Sequence, residues 1–174
     1  MTDFNIEYFL NLTGYITDIR KERRKTGKNT QEFFTPYDIV KRMCDKIPES
    51  DWANPDKTWI EPAFGNGQFV CYIIWNRLQH GVHWWWALRN LYGVELMQDN
   101  VEETKQRVIK LLDALEVDYD EDLVMDVMDY NLVCSDFFDW DFEAWCKKGE
   151  IPCTCTAKII GDEEYKDSQI LISH

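Results

Sequence analysis

Long apolar runs are missing from this chain. Nothing in its 174 residues approaches the ~18 consecutive apolar positions that a membrane-spanning helix needs, so no membrane role is expected. Positive charge is scarce: 19 Lys and Arg stand against 32 Asp and Glu, for a net charge of −13. Such a surface repels phosphate, which excludes non-specific nucleic-acid binding by the whole body and leaves any nucleic-acid role to a local basic patch or a partner chain. The shortage is most severe between Leu111 and Cys146, where twelve acids occur without a Lys or Arg. Half of these lie between Asp113 and Asp122, but the run DYDED lacks the central glycine of a calcium loop. The three histidines (His80, His83, His174) have no ligand spacing, and Cys146, Cys153 and Cys155 have no matching second pair, so no metal site is expected. A basic leader is also absent. The opening MTDFNIEYF is acidic and aromatic, so the chain is expected in a cytoplasm with its cysteines reduced, Cys44, Cys71 and Cys134 as core residues.

What is present is a large stock of aromatic side chains, eight Trp, nine Phe and eight Tyr, in a length that suits one domain. Residues 1–30 read as an N-terminal helical segment. It ends in the one positive block, Arg20, Lys21, Arg23, Arg24, Lys25 and Lys28, which suits a solvated helix end better than a phosphate contact, because no aromatic or glycine residues are interleaved. Residues 31–174 read as the main domain. Thr35 is a good N-cap and Pro36 fits the first position of a helix over 36–47, with Ile39, Val40, Met43 and Ile47 on its buried face. The stretch TWIEPAFGNGQFV (58–70) then gives a short strand, a turn with Gly65 and Gly67, and a helix to about Gln79. That sequence serves a plain strand-to-helix turn as well as a ligand loop. A short helix follows over 82–91, where three consecutive tryptophans predict at least one at a surface groove or interface. Further strands are expected at 92–95, 131–134, 158–161 and 170–172, and Asp99 is expected to cap a long helix carrying Val101, Val108, Leu111, Leu112 and Leu115.

One arrangement recurs. Glu61, Glu95, Asp136 and Asp162 each stand at, or one or two residues beyond, the end of an expected strand, and helical segments separate the first three. That is the pattern of an α/β fold with a doubly wound, mostly parallel sheet, whose ligands sit at the carboxyl ends of the strands. In such a position Glu95 accepts from both hydroxyls of a ribose. Asp136 accepts from an exocyclic amine while Phe137 packs on a purine, and Glu61 holds an ammonium group. A pyrophosphate fits poorly beside Glu61, which favours S-adenosylmethionine (SAM) over a dinucleotide.

QEFFTP (31–36), EPAFGNGQF (61–69), YGVEL (92–96) and CSDFF (134–138) resemble the SAM-binding motifs of N6-adenine DNA methyltransferases, in the order that places the N-terminal SAM motif first. The resemblance implies a Rossmann-like fold and SAM as cofactor. It also implies transfer of a methyl group to DNA, in a bacterial or phage-infected cytoplasm and in the setting of restriction and modification. It assigns Phe34, Thr35 and Pro36 to contacts above SAM, and Glu61, Ala63, Gly65 and Gly67 to the methionine portion. Glu95 and Leu96 go to the ribose side, and Asp136 and Phe137 to the adenine.

The family's catalytic motif, Asp/Asn-Pro-Pro-Tyr, is altered. IIGDEEYKD places Asp162 and Tyr165 where the polar and aromatic residues belong, with Glu163 and Glu164 in place of both prolines. Two negative charges there face an incoming polyanion. The family continues with further strands and a target-recognition region, whereas nine residues follow Tyr165; the open sheet edge predicts a homodimer or a partner subunit. Three functions follow: an adenine-specific DNA methyltransferase, a non-methylating SAM-binding protein that sequesters SAM or counters restriction, and an acidic protein that mimics DNA.

Overall fold

A computed structural model of the chain describes residues 4–13 and 35–145, and the fold is built from these. Helix α1 (Ile6–Thr13) is followed by α2 (Tyr37–Cys44), the single turn α3 (Glu49–Trp52), strand β1 (Trp59–Glu61) and α4 (Gln68–Gln79). Then come α5 (Trp84–Arg89), β2 (Leu91–Glu95), α6 (Gln98–Ala114), α7 (Glu121–Asn131), β3 (Leu132–Cys134) and a 3-10 turn (Phe142–Trp145). The three strands form one open parallel sheet in the order β1-β2-β3. Trp59 pairs with Leu91 and Glu61 with Gly93, while Gly93 pairs with Leu132 and Glu95 with Cys134. The chain is therefore α/β with a small parallel sheet. The reversal of winding that would make it doubly wound depends on the expected strand at 158–161, outside the described residues.

Strand β2 is buried along its whole length, and its side chains alternate between two cores. Leu91, together with Leu132, joins the main core formed with α4, α5, α6 and α7. Tyr92 and Val94 face the other way, into a smaller aromatic cluster with Trp145, Tyr130, Val133, Phe137 and Trp140. Helices thus cover one face of the sheet, while the segment after β3 covers the other. Trp145 anchors that segment by donating from Nε1 to the Tyr130 carbonyl at 3.0 Å. Ile60, in register with Tyr92, shares the second face and stays 52% exposed at the β1 edge. Helix α1 buries Ile6 and Leu10 in the main core, so it packs as part of the same body as the residues after 35.

Several expectations need correction. All of Trp84, Trp85 and Trp86 are buried, with none at a surface groove, because α5 is enclosed by α4, α7 and β2 and is therefore apolar on every side. Cys134 is exposed at the end of β3 rather than in the core, while Cys44 and Cys71 are buried as expected. Helix α2 begins one residue later than expected: Pro36 is its N-cap, with extended backbone, and Tyr37 is its first residue. Likewise Met97 rather than Asp99 is the N-cap of α6, and Asp99 lies in its first turn. The acidic stretch after α6 also contains a helix that was not expected, α7. Asp120 caps it by accepting from the Leu123 amide at 3.0 Å, and Leu123, Val124, Val127 and Met128 form its buried stripe.

Arg77 on α4 is fully buried and serves as an internal staple. Its guanidinium donates to the carbonyls of Trp86 (2.8 Å) and Ala87 in α5, and to those of Asn54 (2.9 Å) and Pro55 in the lead-in to β1. Burial lowers its pKa to about 10.

Candidate functional site

The register places Glu61, Glu95 and the segment 134–137 at the same end of the sheet, the carboxyl end. The turn between β1 and α4 closes over that end. The Phe64 amide donates to the Val94 carbonyl at 3.3 Å, and the Gly67 amide to the Phe64 carbonyl at 2.8 Å. Gly65 and Gly67 both adopt positive φ, 55° and 84°. At Gly67 a Cβ would lie 2.6 Å from Thr104 Cγ2, so glycine is required both for conformation and for space. Gly93, beneath the turn, is glycine for space alone: a Cβ would meet the Phe64 ring at 2.5 Å.

Glu95 is buried and holds the turn. Its Oε2 accepts from the Gly65 amide at 2.9 Å, and its Oε1 accepts from the Met97 amide at 3.0 Å and from Asn100 Nδ2 at 3.1 Å. A carboxylate has roughly four acceptor positions, so about one is left. The expected pair of ribose hydroxyls therefore fits only if one of these donors gives way. Glu61 is half-buried and, among the described residues, accepts only a long contact, 3.4 Å, from the Ala63 amide. Burial raises its pKa above the ordinary carboxylate range, and the Ala63 contact opposes that. Ala63 itself is exposed.

Beyond β3, Asp136 is exposed and accepts from the Phe138 amide at 2.9 Å. Phe137 is half-buried, packed edge-on against Phe138 and Phe142. Phe138, with 92% of its surface exposed, presents the open ring at this end of the sheet. Leu96 is 60% exposed, and its carbonyl accepts from Cys134 Sγ at 3.5 Å. Burial raises the Cys134 pKa, helped by Glu95 and Asp99. Cys44, at the end of α2, is pushed up to about 12 by burial, with smaller contributions from Asp45 and from Glu61, so α2 ends within electrostatic reach of the β1 acid.

The structure thus gathers Glu61, Ala63, Gly65, Gly67, Glu95, Leu96, Asp136 and Phe137 at one end of the sheet. Thr35 and Pro36 lie just before α2. Phe34, Asp162, Tyr165, Cys146, Cys153, Cys155, the basic block at 20–28 and the expected strand at 170–172 lie outside the described residues.

Three polar residues of α6 complete the site and had no place among the expected ones. Asn100 holds Glu95; Thr104 donates from Oγ1 to the Gly65 carbonyl at 3.2 Å; Arg107 donates to the Asn66 carbonyl and, at 3.3 Å, to Gln68 Oε1. Their spacing, i, i+4 and i+7, puts them on one helix face beside Val101, Val108 and Leu111. The signal in the sequence is that polar residues occupy positions of an otherwise apolar stripe.

Fold and site together define an α/β chain with an open parallel sheet, a glycine turn after its first strand, and acids along its carboxyl end. No protein-family model, curated protein or solved structure matches the chain. Among the described residues no three His, Cys, Asp or Glu side chains converge as metal ligands, and no helix is long and apolar enough to cross a membrane.

Proposed function

We propose that the carboxyl end of this sheet binds SAM, and that the chain is a DNA methyltransferase-like protein acting on adenine N6 with DNA contacts completed by a second copy or a partner subunit. The observation that carries the reading is the placement of Glu61, the glycine turn, Glu95 and Asp136 at the ends of three neighbouring parallel strands. The donor set suits the cofactor. Glu61, short of hydrogen-bond donors, receives an ammonium. Glu95 accepts at its remaining position, and Asp136 and Phe137 take the adenine end. SAM would supply an electrophilic methyl group; the residues here bind and orient it.

Calorimetry with SAM and with S-adenosylhomocysteine tests the cofactor. Absence of binding at high micromolar concentration overturns the reading. Methyl transfer from labelled SAM to unmethylated DNA then separates a methyltransferase from a protein that only sequesters SAM, a function that Glu163 and Glu164 in the catalytic motif favour. With SAM binding established, Asp162→Ala is expected to abolish transfer and leave binding intact.

A second reading rests on a separate observation. All twelve acids between Leu111 and Cys146 are exposed, so this stretch presents dense negative charge to solvent. An acidic surface of that kind suits a protein that occupies the DNA site of another enzyme. Inhibition of a DNA-binding enzyme by a chain that binds no SAM supports it.

A further inference from the structure

The segment after β3 carries an unbroken line of aromatic rings from the smaller core to solvent. Tyr92 on β2 meets Trp145 with ring centres 5.1 Å apart, and Trp145 meets Phe142 at 5.9 Å. Phe142 meets Phe137 at 5.2 Å, and Phe137 meets Phe138 at 5.8 Å. Exposure climbs along the line: Trp145 is 6% exposed, Phe142 40% and Phe138 92%. Hydrogen bonds hold its backbone in place. The Tyr130 hydroxyl donates to the Ala144 carbonyl at 3.1 Å. The Glu143 amide donates to Asp141 Oδ1 at 3.0 Å, and the Phe138 amide to Asp136 Oδ1 at 2.9 Å. Rings held this way present apolar area with little freedom left to lose on contact.

Four acids rim this ledge. Asp136, Asp139, Asp141 and Glu143 are all exposed, and none is in an ion pair among the described residues. A rim of that sign repels nucleic acid and anionic membranes, and it favours a cationic protein segment. The chain itself carries one: Arg20, Lys21, Arg23, Arg24, Lys25 and Lys28, with Glu22 as the single acid among them. In the sequence this block runs between α1 and α2, and both helices pack into the main core on the first face of the sheet. The ledge belongs to the second face. Within one chain the block would have to cross the carboxyl end of the sheet to reach the ledge, over Glu61 and Glu95. From a second copy it reaches the ledge with that end left open.

We propose that the ledge of Phe138 and Phe142 docks the basic block of a second copy of this chain. The exchange is reciprocal, so two copies close into a dimer and the contact does not propagate. Phe138 and Phe142 pack against the aliphatic stems and guanidinium planes of the block, and the four acids take its charged ends. The contact uses the second face of the sheet rather than the β1 edge, and it does not depend on a bound cofactor.

Light scattering over a concentration series, at about 0.1 M salt, tests this. Charges more than about 10 Å apart are then largely screened, so the net −13 of each copy does not mask a local pairing. Wild type is expected to pass from monomer to dimer as concentration rises. Phe138→Ser alters a side chain that supports no core, and is expected to raise the dimer Kd about tenfold. Arg23→Glu with Arg24→Glu is expected to abolish the dimer over the same range, and so is Asp139→Lys with Glu143→Lys. An equimolar mixture of these two double variants is expected to dimerise again. In the mixed pair the native block meets the native ledge, and the reversed block meets the reversed ledge.

Wild type that stays monomeric at about 300 µM overturns the proposal, whether the ledge is then covered within its own chain or by another protein. A dimer indifferent to Phe138→Ser and to both charge reversals lies on another surface, such as the β1 edge, and also overturns it. So does a mixture of the two double variants that stays monomeric, because the pairing then does not run between copies.

Discussion

Glu61 and Glu95 end adjacent strands of one sheet, and their carboxylates are treated in opposite ways. Glu95 is buried and meets three donors, two backbone amides and the Asn100 side chain, at 2.9–3.1 Å. Glu61 is half-buried and, among the described residues, meets one, at 3.4 Å. A charge surrounded by donors belongs to the architecture, because the fold has already matched it. A charge desolvated without a match costs stability, and binding a cation offsets that cost. The two acids look equivalent as strand-end residues, yet one fastens the glycine turn and the other waits beside it.

The sharpest test of this contrast is Glu95→Ala. It strands the Gly65 and Met97 amides and the Asn100 amide group, and is expected to lower unfolding free energy by about 4 kcal/mol in urea denaturation. A loss below about 1 kcal/mol would break the comparison, since Glu95 would then be no more structural than Glu61. Gly67→Ala comes next, at about 3 kcal/mol, from a left-handed backbone and a Cβ placed 2.6 Å from Thr104. Asn100→Ala removes one of the three donors and is expected to cost about 2 kcal/mol, which measures how much of the Glu95 effect one contact carries.

Glu61→Gln is the smallest, expected within about 0.5 kcal/mol of wild type near pH 4. Its sign depends on pH. Because burial raises the Glu61 pKa in the folded protein, the folded state holds the proton longer than the unfolded state does. Wild type therefore loses stability as pH climbs from the unfolded pKa through the folded one. The Gln variant escapes this loss, so it is expected to gain on wild type between pH 4 and pH 7. A gain that shrinks over that interval would show that Glu61 is well satisfied after all.

The sheet was legible because its signals are local. The strands at 59–61, 91–95 and 132–134 are short apolar runs with acids at or just beyond their ends, and parallel pairing follows once helices separate them. Helix α7 was hidden because four acids are interspersed among its apolar residues in a strongly acidic stretch, although Asp120 followed by Leu123, Val124, Val127 and Met128 carries a cap and a stripe. The tryptophan triplet misled because surface exposure was inferred from one-sided packing, whereas α5 is enclosed on all sides. The strand-end acids could be read from position alone. Their different treatment could not, since it depends on which amides of a turn and which side chain of α6 point at each carboxylate. The same holds for Arg107, whose partners lie 41 and 39 residues earlier in the chain.

That separation has a consequence in time. Strand β1, the glycine turn and α4 leave the ribosome well before Arg107 does. At about 5–20 residues per second, the 41 residues between Asn66 and Arg107 take about 2–8 seconds to synthesise. For the larger part of that interval, until residue 95 is made, the turn has its glycines but neither Glu95 nor α6 to set its shape. A nascent chain halted between residues 80 and 95 would contain the whole of the turn's sequence and none of the contacts from Glu95 and α6 that set its shape, so the turn is completed only after the second strand and the helix behind it have been made.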